Sequence, residues 1–198
     1  MPSPKDGKLL YHLTHLDNMD SILELGLMSR NTLSRVFTDV ANPEIIAGRR
    51  EYNVDLGDYV PFHFYVKNPF DLAVCRRFGA ENMAIIAIWR PRGDCAGYYV
   101  VPNHPLSGSP EFLPYQEGFE QVNWQLLENN GERHYTDPDI RHACMAECDV
   151  DRVIQPREFA FVYVKTEEAR DRILALPHGG LIGDRLQVNS NMFPRELG

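Results

Sequence analysis

The chain has 198 residues, 43% of them hydrophobic, and a formal net charge of −8. This length supports one full hydrophobic core and predicts a single domain over residues 1–198. The acidic balance argues against broad electrostatic adhesion to nucleic acids or acidic membranes. No apolar run approaches the roughly 20 residues that a transmembrane helix requires, and the first residues lack the apolar stretch of a secretion signal. We therefore expect a cytoplasmic protein without a membrane segment.

The composition also bears on fold class and on metal binding. The 14 prolines and 14 glycines are spread along the chain, which favours a loop-rich α+β protein over a helix bundle. Of the four cysteines, only Cys144 and Cys148 have a spacing that would place two thiols on one helix face. Cys75 and Cys95 supply no matching ligand pair. We expect reduced structural thiols and no metal site.

Residues 11–27 predict a short strand followed at once by an amphipathic helix, with Asp17 or Asn18 as its cap. The strand places His12 and Thr14 close to the start of the helix, where backbone N–H groups lack partners within the helix. A nucleotide-like ligand would use these groups together. On the pattern alone, His12 and Thr14 are equally compatible with ordinary strand positions.

Residues 28–40 have no clean periodicity and predict a loop. Residues 43–50 predict a short helical turn that ends in Arg49 and Arg50. Two adjacent arginines suit a diphosphate, because each guanidinium can donate two parallel hydrogen bonds to phosphate oxygens. Arginine pairs in such positions are also commonly exposed to solvent.

Residues 58–66 are rich in aromatic and β-branched side chains and predict a strand. Pro61 restricts it to a strand start or to an edge of the sheet. Phe62 and Phe64 face away from His63. Aromatic side chains beside a site can stack on a flat ring such as nicotinamide, although core packing is their more frequent use.

The remaining elements are predicted from periodicity and capping. Met83–Trp89 is a continuous apolar run that predicts a buried central strand, with Tyr98–Val101 as its neighbour. Residues 102–114 predict a long surface loop. The other predicted elements are helices over Pro69–Phe78 with Asn68 as cap, Glu120–Leu127 and Thr166–Leu176, and strands over Phe159–Val164 and Leu186–Phe193.

Glu158 lies at the mouth of the strand predicted over Phe159–Val164, directly after Arg157. A carboxylate in this position is either a paired surface group or a catalytic acid, and spacing alone leaves both interpretations open.

Several segments, in an order that covers most of the chain, resemble the DarT family of NAD-dependent ADP-ribosyltransferases, which act as toxins on single-stranded DNA. The opening block and the Tyr-Val-Pro-Phe block are the more specific of them. The segments are Tyr11–Asn18 with Ser21–Leu23, Asp58–Phe64, Asn123–Trp124 and Gln155–Phe159.

The resemblance implies an ADP-ribosyltransferase-like α+β fold of two small packed sheets, with flanking helices and an NAD cleft. NAD would be the substrate and no metal would be needed. The implied NAD-binding residues are His12 on the adenosine side, Thr14 at the nicotinamide amide through its backbone, Asn18 near the nucleotide, and Tyr59 and Phe62 as walls of the nicotinamide pocket. Arg49 or Arg50 would lie beside the diphosphate, and Glu158 would be the catalytic glutamate.

The implied function is transfer of ADP-ribose from NAD to a base of single-stranded DNA, by the toxin of a toxin–antitoxin pair. A macrodomain-type antitoxin (DarG-like) would be its partner. An RNA or protein acceptor, or a non-catalytic binding module of the same fold, are the alternatives. Residues 66–71 replace a Pro-Arg-Ser-Pro-Met block that is frequent in the family, and Arg157 replaces a small residue, so the acceptor base and its sequence context stay open.

Overall fold

The computed structural model describes residues 3–41, 43, 54–104, 111–128 and 135–195. These residues contain eight strands that form one sheet in the order β5-β4-β6-β2-β1-β3-β7-β8. Every strand pair is antiparallel except β7 with β8, which is parallel. The strands are β1 (Leu9–His15), β2 (Val60–His63), β3 (Met83–Trp89), β4 (Tyr98–Val101), β5 (Leu113–Pro114), β6 (Glu147–Val150), β7 (Phe159–Val164) and β8 (Leu186–Val188).

Six α-helices and several short 3-10 helices flank the sheet within the described residues. The α-helices are α1 (Met19–Leu25), α2 (Pro69–Phe78), α3 (Tyr115–Gln121), α4 (Trp124–Glu128), α5 (Pro138–Ala143) and α6 (Glu167–Leu174). The 3-10 helices are Leu16–Asn18, Leu56–Asp58, Ala80–Asn82, Pro156–Glu158, Gly179–Arg185 and Ser190–Met192. The combination of these helices with an eight-stranded sheet confirms the α+β class.

The number of sheets differs from the expectation of two small packed sheets. β1 pairs with β3 along its whole length, whereas β1 and β2 are joined at the single register pair Tyr11↔His63. The expected sheets are therefore the two halves β5-β4-β6-β2 and β1-β3-β7-β8, and this narrow junction makes them hydrogen-bonded parts of one sheet.

The predicted central strand is confirmed as β3, between β1 and β7. Six of its seven residues are buried, and only Trp89 is exposed. Alternate residues belong to two hydrophobic clusters: Ile86 packs in the larger one with α1, and Ile85 packs in the smaller one against α2. A strand that is covered on both faces needs apolar residues at every position, which explains its continuous apolar run.

Capping signals placed two helices correctly. The Asn68 side chain accepts a hydrogen bond from the backbone N–H of Asp71 at the start of α2. The Thr166 hydroxyl accepts one from Ala169 N–H at the start of α6. The prediction over residues 120–127 was wrong in detail, because α3 ends at Gln121 and α4 begins at Trp124.

Three strand predictions need correction. β4 does not pair with β3; it lies between β5 and β6 on the other half of the sheet. β2 covers only Val60–His63, and β8 only Leu186–Val188 before the chain enters a 3-10 turn. Pro61 is the second residue of β2, a strand inside the sheet, and no ladder pair with β1 forms before His63.

The two closely spaced cysteines do not share a helix face. Cys144 follows the end of α5 and Cys148 lies in β6, and both are buried and outside any disulfide. Within the described residues, no three His, Cys, Asp or Glu side chains come together in a way that would hold a metal ion. None of the described helices has the length and apolar character needed to cross a bilayer.

Parts of two other predictions lie outside the described residues. Of the turn predicted over residues 43–50, only Pro43 is described, so Arg49 and Arg50 are not placed. Of the loop predicted over residues 102–114, residues 105–110 are not described, and Leu113–Pro114 forms β5.

Candidate active site

A cavity opens between β1, α1, the 28–41 loop and β2. It contains four of the residues that the sequence predicted for NAD binding, namely His12, Thr14, Asn18 and Tyr59. The residues that line it are His12, Leu13, Thr14, Asn18, Ser21, Ile22, Gly26, Leu27, Met28, Arg30, Leu33, Phe37, Thr38, Asp39, Val40, Ala41, Leu56, Gly57, Tyr59, Pro61, His63, Phe70, His104, Met145 and Glu147.

Asn18 links the strand, the helix and the loop on one side of this cavity. Its amide nitrogen donates to the Thr14 hydroxyl at 3.1 Å and to the Thr38 carbonyl at 2.9 Å. Its amide oxygen accepts from Thr38 N–H at 2.8 Å. Thr14 and Asn18 are both buried. The side chain therefore does not cap α1, as the sequence had suggested, but holds the 28–41 loop against β1.

His12 is oriented by β2. Its Nδ1 lies 2.8 Å from the carbonyl oxygen of Pro61. A carbonyl can only accept a hydrogen bond, so Nδ1 carries the proton and donates it. This bond fixes both the tautomer and the direction in which Nε2 points. The histidine is thus pre-oriented at the junction between the two halves of the sheet.

The two predicted aromatic walls take different positions. Tyr59 lines the cavity and contacts Phe112 and Tyr99, with ring centroids 4.9 Å and 5.6 Å away. Burial is the main cause that raises the pKa of the Tyr59 hydroxyl. Phe62 does not line the cavity; it is fully buried in the larger core cluster, and its ring centroid is 5.7 Å from that of His12. Phe62 therefore packs beside His12 within the core and does not form a wall of the cavity.

Glu158 is not among the residues that line the cavity. It ends the 3-10 turn Pro156–Glu158, and its side chain is about one-third exposed. One carboxylate oxygen accepts from Gln155 N–H at 2.9 Å, and the other lies 2.8 Å from a guanidinium nitrogen of Arg152. The carboxylate therefore has a fixed direction in the structure although it lies at the surface.

A short bridge attaches the Glu158 turn to the cavity. Leu27 and Ile154 exchange two backbone hydrogen bonds of 2.9 Å each. Gly26, which lines the cavity, has φ +95°, and a Cβ at this position would lie 2.5 Å from a methyl carbon of Val153. Glycine is required here by both the backbone conformation and the close approach. The end of α1 and the segment leading to Glu158 are thus in direct contact.

Several residues at the site were not singled out from the sequence. His63 and Glu147 are opposite each other on β2 and β6, are buried, and line the cavity together with His104. Arg30, also in the lining, forms an ion pair with Asp39 whose Nη2–Oδ1 separation is 3.0 Å. Their partners are distant in sequence, so no local pattern reveals them.

Arg152 is the cation that contacts Glu158. It also donates to the Tyr98 hydroxyl at 3.2 Å, and its guanidinium lies 5.9 Å from the centroid of that ring. The hydrogen bond to Glu158 raises the pKa of Arg152, although burial acts in the opposite direction. The combination is a hydrogen-bonded chain from Tyr98 on β4 to Glu158 at the mouth of β7.

The arrangement combines hydrogen-bonding groups that suit a nucleotide with the carboxylates of Asp39 and Glu147 in the lining, and the Leu27–Ile154 bridge joins it to the segment that leads to Glu158. Buried amide and hydroxyl groups give direction to a polar ligand, and a fixed carboxylate stabilises positive charge that develops during a reaction.

Comparison with known proteins agrees with this chemistry. Residues 11–194 match the family model described as "ssDNA thymidine ADP-ribosyltransferase, DarT". A DNA ADP-ribosyl transferase of Escherichia coli O127:H6 is 25% identical over 147 residues, which are 66% of this chain and 66% of that protein. A DNA ADP-ribosyl transferase–DNA ADP-ribosyl glycohydrolase fusion protein of Thermosipho africanus is 24% identical over 83% of this chain and 44% of its own length. This chain thus spans about two thirds of the first relative and less than half of the second.

Solved structures show the same fold. Thermus sp. 2.9 DarT in complex with ADP-ribosylated ssDNA superimposes with a TM-score of 0.78 at 18% identity, covering 96% of this chain and 97% of that one. The NAD⁺ complex of the Thermus protein gives a TM-score of 0.73, covering 96% and 98%. Because the family model extends over nearly the whole chain, this protein belongs to the DarT family of ssDNA thymidine ADP-ribosyltransferases.

Proposed function

We propose that this protein transfers ADP-ribose from NAD to the base of a thymidine in single-stranded DNA, and that it acts as the toxin of a toxin–antitoxin pair. The observation that carries the proposal is the family match over residues 11–194. The geometry supports it, because the polar cavity of β1 and α1 adjoins the turn that holds Glu158.

The first step breaks the bond between nicotinamide and ribose. Nicotinamide leaves as a neutral molecule with the bonding electron pair, and positive charge develops on the sugar. The Glu158 carboxylate stabilises that charge. A guanidinium nitrogen of Arg152 lies 2.8 Å from the carboxylate and helps to hold it in place.

The second step forms the bond to DNA. A ring nitrogen of thymine attacks the anomeric carbon with its electron pair and gives up its proton, and the Glu158 carboxylate accepts that proton. A base in a single strand reaches the site without the cost of unpairing, which accounts for a preference for single strands.

Roles for the remaining predicted residues follow the same scheme. His12, Thr14 and Asn18 would bind NAD, with Asn18 holding the loop that closes one side of the cavity. Tyr59 would be a wall of the nicotinamide pocket. Arg49 or Arg50 would bind the diphosphate, and separate substitution of each by methionine would identify the essential one from a rise in KM for NAD.

The partner would be a macrodomain-type antitoxin (DarG-like) that removes the modification. Support comes from the Thermosipho relative, in which a DNA ADP-ribosyl transferase and a DNA ADP-ribosyl glycohydrolase are fused in one protein. Induced expression of this chain should arrest growth, and co-expression of such a hydrolase should restore it. Growth arrest that persists with an active hydrolase would contradict this pairing.

The activity test uses purified protein, NAD and four acceptors of matched sequence, read by mass spectrometry. The acceptors are a thymidine-containing single strand, the same strand with every thymidine replaced by cytidine, the thymidine-containing duplex, and the corresponding RNA. We expect a gain of one ADP-ribose group on the first acceptor, and none with Glu158→Gln protein.

Each other result overturns a defined part of the proposal. Equal modification of the thymidine-free strand would remove the base assignment. Modification of RNA alone would favour RNA as the acceptor. Absence of both NAD consumption and NAD binding would leave a non-catalytic module of the same fold.

A further inference from the structure

Arg185 lies at the end of the 3-10 helix Gly179–Arg185, directly before β8, and its guanidinium reaches the turn that carries Glu158. One of its nitrogens, Nη1, lies 2.9 Å from the carbonyl oxygen of Pro156, 3.1 Å from that of Arg157 and 2.8 Å from that of Phe159. A single cationic group thus gathers three backbone carbonyls, including those on both sides of Glu158 in sequence.

Two of these carbonyls, those of Pro156 and Arg157, belong to the turn, and the third belongs to the first residue of β7. Within the turn the Pro156 carbonyl also accepts from Phe159 N–H, and so short a turn leaves its later carbonyls without partners inside the helix. A guanidinium suits this task because it presents several N–H donors in a fixed plane and stays charged at any physiological pH.

The other end of the same turn is held by Glu158 itself. Its carboxylate accepts from Gln155 N–H, and its own N–H donates 2.8 Å to the Gln155 carbonyl. The backbone of the turn therefore depends on Arg185 at one end and on the Glu158 side chain at the other. The Arg185 contacts do not involve the Glu158 carboxylate, so they can hold the backbone of the turn while that carboxylate engages substrate.

The anchor of Arg185 is rigid. The second guanidinium nitrogen, Nη2, donates to the Leu181 carbonyl within the same 3-10 helix, and Ile182 in that helix is fully buried. The next residue, Leu186, is buried and pairs with Val162 of β7, the strand that begins directly after Glu158. The position of the guanidinium is thus set by the core.

We propose that Arg185 is a positioning residue that fixes the Glu158 carboxylate in its catalytic direction by binding the backbone carbonyls of the Pro156–Phe159 turn. The proposal rests on the proposed function, in which Glu158 is the catalytic carboxylate. A displacement of about 1 Å in such a group is enough to cost up to about 100-fold in rate, so a backbone clamp of this kind acts on kcat.

The experiment compares Arg185→Met, Arg185→Lys and the control Arg170→Met with the unmodified protein. Arg170 is a partly exposed arginine of α6 whose ion pair with Glu167 is local. Arg170→Met therefore measures the effect of removing one positive charge without disturbing the Glu158 turn. We measure kcat and KM for NAD at a saturating thymidine-containing strand, together with thermal unfolding and amide hydrogen exchange over residues 155–160.

We expect Arg185→Met to lower kcat by about 10-fold to 100-fold, to leave KM for NAD within about twofold, and to speed amide exchange at Glu158. Arg185→Lys should restore part of kcat, because an ammonium group can donate hydrogen bonds to the same carbonyls. The recovery should be incomplete, since an ammonium lacks the planar arrangement of donors in a guanidinium. Arg170→Met should match the unmodified protein in all readouts. If Arg185→Met does not fold, the same comparison is made with Arg185→Lys.

The outcomes separate this inference from the proposed function. Absence of transfer activity in the unmodified protein would overturn the proposed function. Faster amide exchange in Arg185→Met would in that case still show that Arg185 stabilises the backbone of the Pro156–Phe159 turn. Normal kcat in a folded Arg185→Met with an active unmodified protein would overturn the positioning role alone. A rise in KM with kcat unchanged would also overturn it, since it would place Arg185 in NAD binding.

Discussion

The cavity wall and the Glu158 turn, which the Leu27–Ile154 bridge connects, are stabilised in different ways. The wall is organised by buried, uncharged hydrogen bonds, with Asn18 joining Thr14 and Thr38. The turn is organised at the surface by cations, with Arg152 on the carboxylate and Arg185 on the backbone. Substitutions in the wall should affect folding and NAD binding together, whereas substitutions in the turn should affect the reaction with little change in stability.

The largest effect is expected for Glu158→Gln. The new amide still offers an oxygen to Gln155 N–H, but it carries no charge to stabilise the sugar cation. We expect transfer to thymidine-containing single strands to fall by about 100-fold or more. The free energy of unfolding should change by less than about 1 kcal/mol, because the pair with Arg152 is partly exposed to solvent.

Glu167→Gln is the matched control, since this glutamate is exposed and its ion pair with Arg170 lies within one helical turn. Rates are measured by electrophoresis of the modified strand, and stability by chemical denaturation. Retention of more than about a tenth of the activity in Glu158→Gln would remove the catalytic assignment.

Asn18→Leu should have the next largest effect, and on different quantities. The substitution keeps the side-chain volume but removes both ends of the buried amide, so Thr38 N–H and its carbonyl lose their partner. We expect a loss of about 1–3 kcal/mol in the free energy of unfolding. The affinity for NAD should fall about tenfold, as the equivalent of about 1.4 kcal/mol is lost when the loop is released.

Calorimetric titration with NAD and thermal unfolding test this expectation, with the exposed Asn191→Leu as control. Unchanged stability together with unchanged NAD affinity would show that the 28–41 loop is held by other contacts, and the distinction between wall and turn would lose its basis.

Arg152→Gln tests the effect of the positive charge beside Glu158, and it leaves the contacts of Arg185 with the backbone of the turn unchanged. Glutamine can still donate to Glu158 but supplies no positive charge. Because the ion pair is partly exposed, its worth is at most about 1 kcal/mol, which corresponds to about a fivefold decrease in kcat. Arg170→Gln serves as control. A decrease as large as that of Glu158→Gln would mean that Arg152 contacts the reacting groups directly.

The smallest effect is a pH dependence of stability that involves His104, a residue of the cavity lining. Burial lowers the pKa of His104; His142, Arg141 and His63 lower it further, while Glu147 opposes them. The folded state therefore binds a proton less readily than the unfolded state, in which the pKa is near the ordinary value of about 6.5. Stability should be fully present above that pH and decrease as the pH falls below it.

Denaturation curves between pH 5 and 7.5 check this sign. His104→Gln should flatten the decrease at low pH, whereas the same substitution at the exposed His178 should leave the decrease unchanged. A stability that rises on acidification would show that Glu147 outweighs burial at this histidine.

Local signals account for what could be predicted about the fold. Asn68 followed by Pro69 predicted the start of α2 because a cap depends on residues within one turn. The apolar run Met83–Trp89 predicted a central strand because burial on both faces is visible in composition. β4 was misplaced because its partners, β5 and β6, are selected by pairing across the sheet and leave no signal in Tyr98–Val101.

At the candidate site too, local signals could be predicted from the sequence and long-range contacts could not. His12, Thr14 and Asn18 could be named because they lie within seven residues of each other on one strand–helix unit, whose order is local. Of the two caps that the sequence offered for α1, Asp17 or Asn18, Asn18 occupies the N-cap position but makes no capping hydrogen bond with its side chain. Its amide bonds to Thr38, 20 residues away, because burial favours the satisfied amide.

The sequence by itself determined the strand–helix unit of residues 9–25, the buried strand β3 and the presence of a carboxylate at the mouth of β7. Only the tertiary structure decided that the segment leading to this carboxylate contacts the cavity wall, through the Leu27–Ile154 bridge, and that Arg185 holds its turn. The physical reason is distance along the chain: Leu27 and Ile154 meet only after the strands between them have paired. Periodicity and caps report energies within a few residues, whereas these contacts depend on the packing of the whole sheet.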